Sequence, residues 1–112
     1  MPDSMADRRN AARYSLILAA EVTKQNGSDS LHGRTSDVSR SGCYIDTLNP
    51  MPVASMTRVR LRQGDQVFEA AARVMYVCPG LGMGVMFDKD TSPEQFAVLE
   101  RWLATTTMVG QR

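Results

Sequence analysis

Arg58-Val59-Arg60-Leu61-Arg62-Gln63-Gly64-Asp65-Gln66-Val67-Phe68-Glu69-Ala70-Ala71-Ala72-Arg73-Val74-Met75-Tyr76 holds two alternating runs on either side of one turn. In the first, Val59 and Leu61 separate Arg58, Arg60 and Arg62. In the second, Phe68, Ala70, Ala72, Val74 and Tyr76 share a face, with Glu69 and Arg73 opposite. A period of two residues belongs to a strand with one dry and one wet side, and Gly64-Asp65 supplies the turn of a hairpin. The three arginines read as an exposed strand face that discourages edge pairing. An antiparallel β-domain is therefore the frame for the rest of the chain.

Upstream, residues 14–22 place Tyr14, Leu16, Leu18, Ala20 and Val22 on one side of a first strand. The polar run around Asn26-Gly27 turns the chain, and residues 31–36 return antiparallel. After Asp37-Val38-Ser39-Arg40-Ser41-Gly42, a strand over residues 43–48 is ended by Asn49-Pro50-Met51-Pro52, because proline cannot donate to a ladder and restrains the residue before it. Downstream, Cys78-Pro79-Gly80-Leu81-Gly82 breaks the hairpin, and Met83, Val85 and Phe87 give a last inward set. Six short strands separated by turn signals predict a small barrel.

Helix signals come only at the end. Ser92 is the N-cap, Pro93 the first helical residue, Glu94 lies in the first turn and Gln95 completes a capping box. Phe96, Leu99 and Leu103 recur on one face, widened by Val98 and Trp102, so this helix packs on the barrel. The expected fold is all-β with a C-terminal helix: a six-stranded antiparallel β-barrel packed by one α-helix. Residues 1–7 are read as a flexible tail, 8–104 as the domain and 105–112 as a frayed end.

Composition excludes several functions. A chain of 112 residues makes one domain, without room for a catalytic domain and a sensor side by side. Hydrophobic residues at 43% and charged residues at 22% suit a globular domain, and no run approaches the roughly 20 apolar residues of a membrane span. The N-terminus lacks the apolar core of a secretory signal, so a cytoplasmic location is expected. Net charge is +1, which does not suit a nucleic-acid polymer as partner. Cys43 and Cys78 have no C-x-x-C spacing and no nearby His, so they read as small core residues and no metal is expected. There is no Ser-His-Asp set or Walker-type loop, and His32 stands alone; the chain reads as a non-enzyme. Eleven Arg against two Lys favours the side chain whose planar fork matches phosphate and the guanine O6/N7 edge.

The site is sought at Asp37-Val38-Ser39-Arg40-Ser41-Gly42. Carboxylate and hydroxyl can bond nearby N–H groups while Gly42 takes positive φ, making a tight turn at the mouth of a barrel, where polar groups suit a ligand. Arg9 and Arg13, four residues apart, lie on one side of an extended or a helical arm. Arg9-x-x-x-Arg13, Asp37-x-Ser39-x-x-Gly42 about two dozen residues later, and Gly82-Met83-Gly84-Val85-Met86-Phe87 together resemble the PilZ domain family, over residues 8–103. Members of that family bind the bacterial second messenger cyclic di-GMP.

The resemblance implies a stand-alone receptor and assigns residues to it. Arg9 and Arg13 contact phosphate and guanine, Asp37 and Ser39 meet the edge of a guanine, and Gly42 forms the turn that lets the ligand come close. Arg8, an extra arginine before the motif, implies an intercalated pair of ligands, two per chain, since a third guanidinium offsets the repulsion of four phosphates. Arg40, inside the turn, is an auxiliary contact. No cofactor beyond the ligand is implied. The expected function is a cytoplasmic cyclic di-GMP receptor in which ordering of the N-terminal arginine arm changes a surface for a downstream protein, controlling motility, biofilm or exopolysaccharide. The alternative is a PilZ-like interaction module that binds no nucleotide.

Overall fold

The structure is a computed structural model that describes residues 12–27 and 29–106. Its elements are β1 (Tyr14–Ser15), β2 (Ala19–Lys24), β3 (Ser30–Val38), β4 (Gly42–Asp46), β5 (Met56–Gln63), β6 (Gln66–Cys78), β7 (Gly82–Phe87) and a helix, α1 (Pro93–Ala104). Six strands run in the order β3-β2-β5-β6-β7-β4, and pairing of β3 with β4 closes them into a barrel; β1 adds two residues beside the end of β3. Neighbours are antiparallel throughout. The expected six-stranded barrel with one C-terminal helix is what the chain forms.

The β5–β6 hairpin follows the alternation that announces it. Val59, Leu61, Phe68, Ala70, Ala72 and Val74 are buried, and Gly64 turns the chain at φ 60°. Arg58 and Arg60 lie outside, where Arg58 meets Glu69 at 3.1 Å and Arg60 meets Glu21 at 4.0 Å. Phe68 and Phe87 pack edge to face in the core, ring centroids 4.9 Å apart, a favoured arrangement for aromatic quadrupoles.

The expected first strand over residues 14–22 is broken. Between β1 and β2 the ladder is interrupted at residues 16–18: buried Thr35 donates its hydroxyl to the Leu16 carbonyl at 2.7 Å and accepts there from the Leu18 N–H at 2.8 Å, while its backbone N–H donates to the Leu18 carbonyl at 3.0 Å. Ile17 is turned into solvent as a result.

Two bulges shape the opposite wall. In β3 the pairing passes from Thr35↔Ile45 to Asp37↔Tyr44, leaving Ser36 as the extra residue. In β6 it passes from Val74↔Val85 to Tyr76↔Gly84, leaving Met75 as the extra one. A single inserted residue reverses which face the following side chains take. Asp37 therefore points outward although Thr35, two residues before it, is buried, and Tyr76 points outward although Val74 is buried. The expected inward placement of Tyr76 is corrected by this bulge, and Val77 packs on the core instead. Asp37 likewise belongs to the strand β3, so the turn proper begins at Ser39.

The helix begins as its cap predicts, with Ser92 Oγ accepting from the Gln95 N–H at 3.3 Å. Gln95 does not return the bond as a capping box would; its Oε1 accepts from the Glu69 N–H at 2.6 Å. β7 pairs with β6 only from Ala72 onward, so the helix supplies an acceptor to the uncovered backbone of β6. Leu99, Trp102 and Leu103 are buried, and Trp102 Nε1 donates to Gln66 Oε1 at 2.8 Å. Cys43 is buried in the core and Cys78 half-buried, both as free thiols.

Candidate functional site

The two bulges turn a row of outward residues onto one patch of the barrel wall. Asp37 on β3 pairs with Tyr44 on β4, Tyr44 with Gly84 on β7, and Gly84 with Tyr76 on β6. Four neighbouring strands thus carry a carboxylate and two phenol rings across one line. The rings stack with centroids 6.1 Å apart and planes inclined by 29°. Glycine at 84 is what lets them do so: a Cβ there would overlap the Tyr76 ring. Tyr76 keeps 52% of its surface exposed, so the pair offers an open aromatic platform.

Arg13 joins the row from the N-terminal side. Its Nη2 donates to Asp37 Oδ2 at 3.0 Å, and the guanidinium remains largely exposed while the carboxylate is mostly covered. β1 holds Arg13 there by pairing Tyr14 with Val38 and Ser15 with Asp37. A groove of about 560 Å³ runs past Arg13, Asp37, Ser39, Tyr44, Tyr76 and Met86, within the range that holds small ligands.

The turn after Asp37 is built by Ser39. Its hydroxyl accepts from the Ser41 N–H at 3.1 Å and the Gly42 N–H at 3.2 Å, and the Ser39 N–H donates to the Gly42 carbonyl at 2.8 Å. Ser41 in turn accepts from the Phe87 N–H at 2.8 Å, which ties the turn to the end of β7. Ser39 is buried, and its hydroxyl is committed to holding the turn. Gly42 was expected to take positive φ; it does not, since among the described glycines only Gly27, Gly64 and Gly80 do. Its need is close packing: a Cβ would run into the carbonyl oxygen of Val85 on the paired strand.

Arg40 faces away from the groove toward α1, where its Nε meets Glu100 Oε2 at 2.6 Å. Arg8 and Arg9 lie outside the described residues. The structure therefore brings Arg13, Asp37, Ser39 and Gly42 together and sends Arg40 elsewhere. Tyr44, Tyr76 and Met86 were missed from the sequence. The available signal was Gly82-x-Gly84, because glycines on an exposed strand face leave room for aromatic rings from neighbouring strands.

Electrostatics favour neutral rings beside a neutralised ion pair. A hydrogen bond with the Cys78 side chain, aided by burial, pushes the Tyr44 phenol up to about 12. Burial, then the Asp37 charge, raises that of Tyr76. Burial likewise raises the Cys43 thiol, which stays protonated. Arg13 and Asp37 are the charged residues along the groove and cancel each other. An anionic ligand there requires Arg13 to be released from Asp37 or further cations to be brought in.

The chain matches the PilZ domain family over residues 7–105. It belongs to that family. Among solved structures, the PilZ domain of CeSA from a cellulose-synthesising bacterium is similar at 19% identity, with a TM-score of 0.67, covering 82% of this chain and 94% of that one. The PilZ domain of YcgR from Escherichia coli, solved with c-di-GMP, shares 18% identity at a TM-score of 0.70, covering 88% and 91%. The Bacillus subtilis inhibitor of motility, MotI/DgrA, shares 14% identity at a TM-score of 0.67, covering 88% of this chain and 53% of that one. At these identities the likeness is one of PilZ fold. No curated protein matches the chain.

Proposed function

We propose that this PilZ domain is a receptor for cyclic di-GMP, a binding module without catalytic activity, and that it takes the nucleotide on the outer wall of the barrel. The observation that carries this reading is the alignment of Arg13 and Asp37 with the Tyr44–Tyr76 platform in one groove. Each part answers one part of the ligand. A guanine stacks on the exposed ring of Tyr76, Asp37 accepts from the guanine N1–H and N2–H₂ donors, and Arg13 leaves Asp37 for a phosphate. Ser39 and Gly42 hold the turn that sets Asp37 at the groove.

Because Arg13 and Asp37 neutralise each other, Arg8 and Arg9 are assigned the remaining phosphate charge, and Arg8 goes with a second, intercalated ligand. Their closing over the groove changes the surface shown to a downstream protein in the cytoplasm. The c-di-GMP-bound PilZ domain of Escherichia coli YcgR supports the choice of ligand. Titration calorimetry with cyclic di-GMP tests it. Binding that Arg9→Ala and Arg13→Ala abolish, and that Arg60→Ala on the far wall leaves intact, supports a specific pocket. Equal weakening in all three variants means diffuse electrostatics, and no heat with the unaltered chain favours the interaction module. A stoichiometry of one removes the second ligand.

A further inference from the structure

A second groove, of about 700 Å³, lies beside the first, between the barrel wall and the start of α1. Its floor is apolar. Met56 on β5 pairs with Arg73 on β6, and Arg73 with Met86 on β7, so two methionines flank one arginine across three strands. Met56 keeps 47% and Met86 45% of its surface exposed, and Phe96 of α1 closes the far side. Such flexible, polarisable thioethers suit a surface that must mould itself to another chain.

The rim is cationic. Arg73 and Lys89 have no carboxylate partner among the described residues, whereas Arg13, Arg40, Arg58 and Arg60 each have one. Asp88, the acidic residue of the lining, accepts at Oδ1 from the Asp90 N–H at 2.9 Å and keeps its charge, so with Arg40 paired to Glu100 the rim holds two unpaired cations against one carboxylate. An apolar floor under two unpaired cations lacks an occupant that brings apolar side chains and carboxylates together.

We propose that this groove docks an acidic segment of a partner protein, with an apolar side chain seated between Met56 and Met86 and flanking Asp or Glu residues paired with Arg73 and Lys89. Charge complementarity selects this occupant over a basic peptide or an anionic surface, since the apolar floor needs an anchor and the rim needs carboxylates. Ser41 and Met86 line both grooves, so an occupant of one touches a wall of the other. The docking groove stands whether or not the first groove takes a nucleotide.

The test uses the whole chain, immobilised and screened without nucleotide against a phage-displayed library of random peptides. Enriched peptides carrying an apolar residue between Asp and Glu are expected. A synthetic copy of one then shifts the Met56 and Met86 methyl signals in methyl-¹³C-methionine NMR and leaves the buried Met83 signal in place. Arg73→Glu with Lys89→Glu weakens that peptide about tenfold, the loss of two exposed charge pairs and their reversal. The same variant keeps the unaltered chain's circular dichroism and its response to cyclic di-GMP, so a failed nucleotide titration and a failed docking test are separate results. Enrichment of basic or uncharged peptides, no enrichment, or affinity untouched by the double variant overturns the proposal. Self-association that the double variant abolishes in sedimentation also overturns it, by making a second copy of the chain the occupant.

Discussion

Replacing Tyr76 with Ala tests the aromatic platform directly. The ring lies over Gly84 with about half its surface exposed, so its loss affects the fold and the ligand by different amounts. An aromatic side chain offers about 200 Å² of surface, of which about 100 Å² is covered here; at about 25 cal/mol/Å² the loss in stability is at most about 2.5 kcal/mol. Stacking of a base on an aromatic ring contributes about 1–3 kcal/mol, so Tyr76→Ala should weaken cyclic di-GMP by about 5–150-fold. Tyr76→Phe keeps the ring and should bind within about twofold of the unaltered chain. Calorimetric titration well below the melting transition, with circular dichroism melts of all three proteins, separates the two effects. If Tyr76→Ala binds as well as the unaltered chain while Arg13→Ala does not, the nucleotide does not stack on this platform.

Gly84→Ala puts a methyl group into the Tyr76 ring; it should destabilise by about 1–3 kcal/mol and weaken the nucleotide as well, as read by thermal melts and titration. Thr35→Val leaves the Leu16 carbonyl and Leu18 N–H without the hydroxyl that serves both; a loss of about 1–3 kcal/mol in urea unfolding is expected, and a smaller loss would mean residues 16–18 find other partners. Tyr44 is raised from 10.0 to about 12 in the folded chain, so the unfolded chain loses its proton first. The associated stability is fully present below about pH 10 and is lost as pH rises toward 12; Tyr44→Phe should flatten that fall in melts taken across the interval.

What could be read in advance was whatever obeyed a local period. The alternation of Arg58, Val59, Arg60 and Leu61 marks β5, and Ser92-Pro93 marks the start of α1, because strand pleat and helix cap are properties of a few adjacent residues. The Thr35 clamp on residues 16–18 could not be seen, since it joins positions distant in sequence and a run of Leu16, Ile17 and Leu18 looks like uninterrupted strand. The bulges at Ser36 and Met75 carry no glycine to announce them and arise from how neighbouring strands must fit to close the barrel. For that reason the polar motif around Asp37 was legible while Tyr44 and Tyr76, brought beside it by closure, were not. Ser39 was legible too, and its buried hydroxyl bonds to the two N–H groups beside it.

Whether the Asp37 carboxylate meets water or the oily interior depends on register, because Ser36 stands outside the β3–β4 ladder. Removal of Ser36 or Met75 would straighten the strand and leave Asp37 opposite Tyr44 and Tyr76 opposite Gly84, whereas a slip that took the extra residue into the ladder would drive a charge or a phenol inward. Viable single-residue deletions in β3 and β6 should therefore fall at these two bulges, where the strand can lose a residue without turning its outer wall.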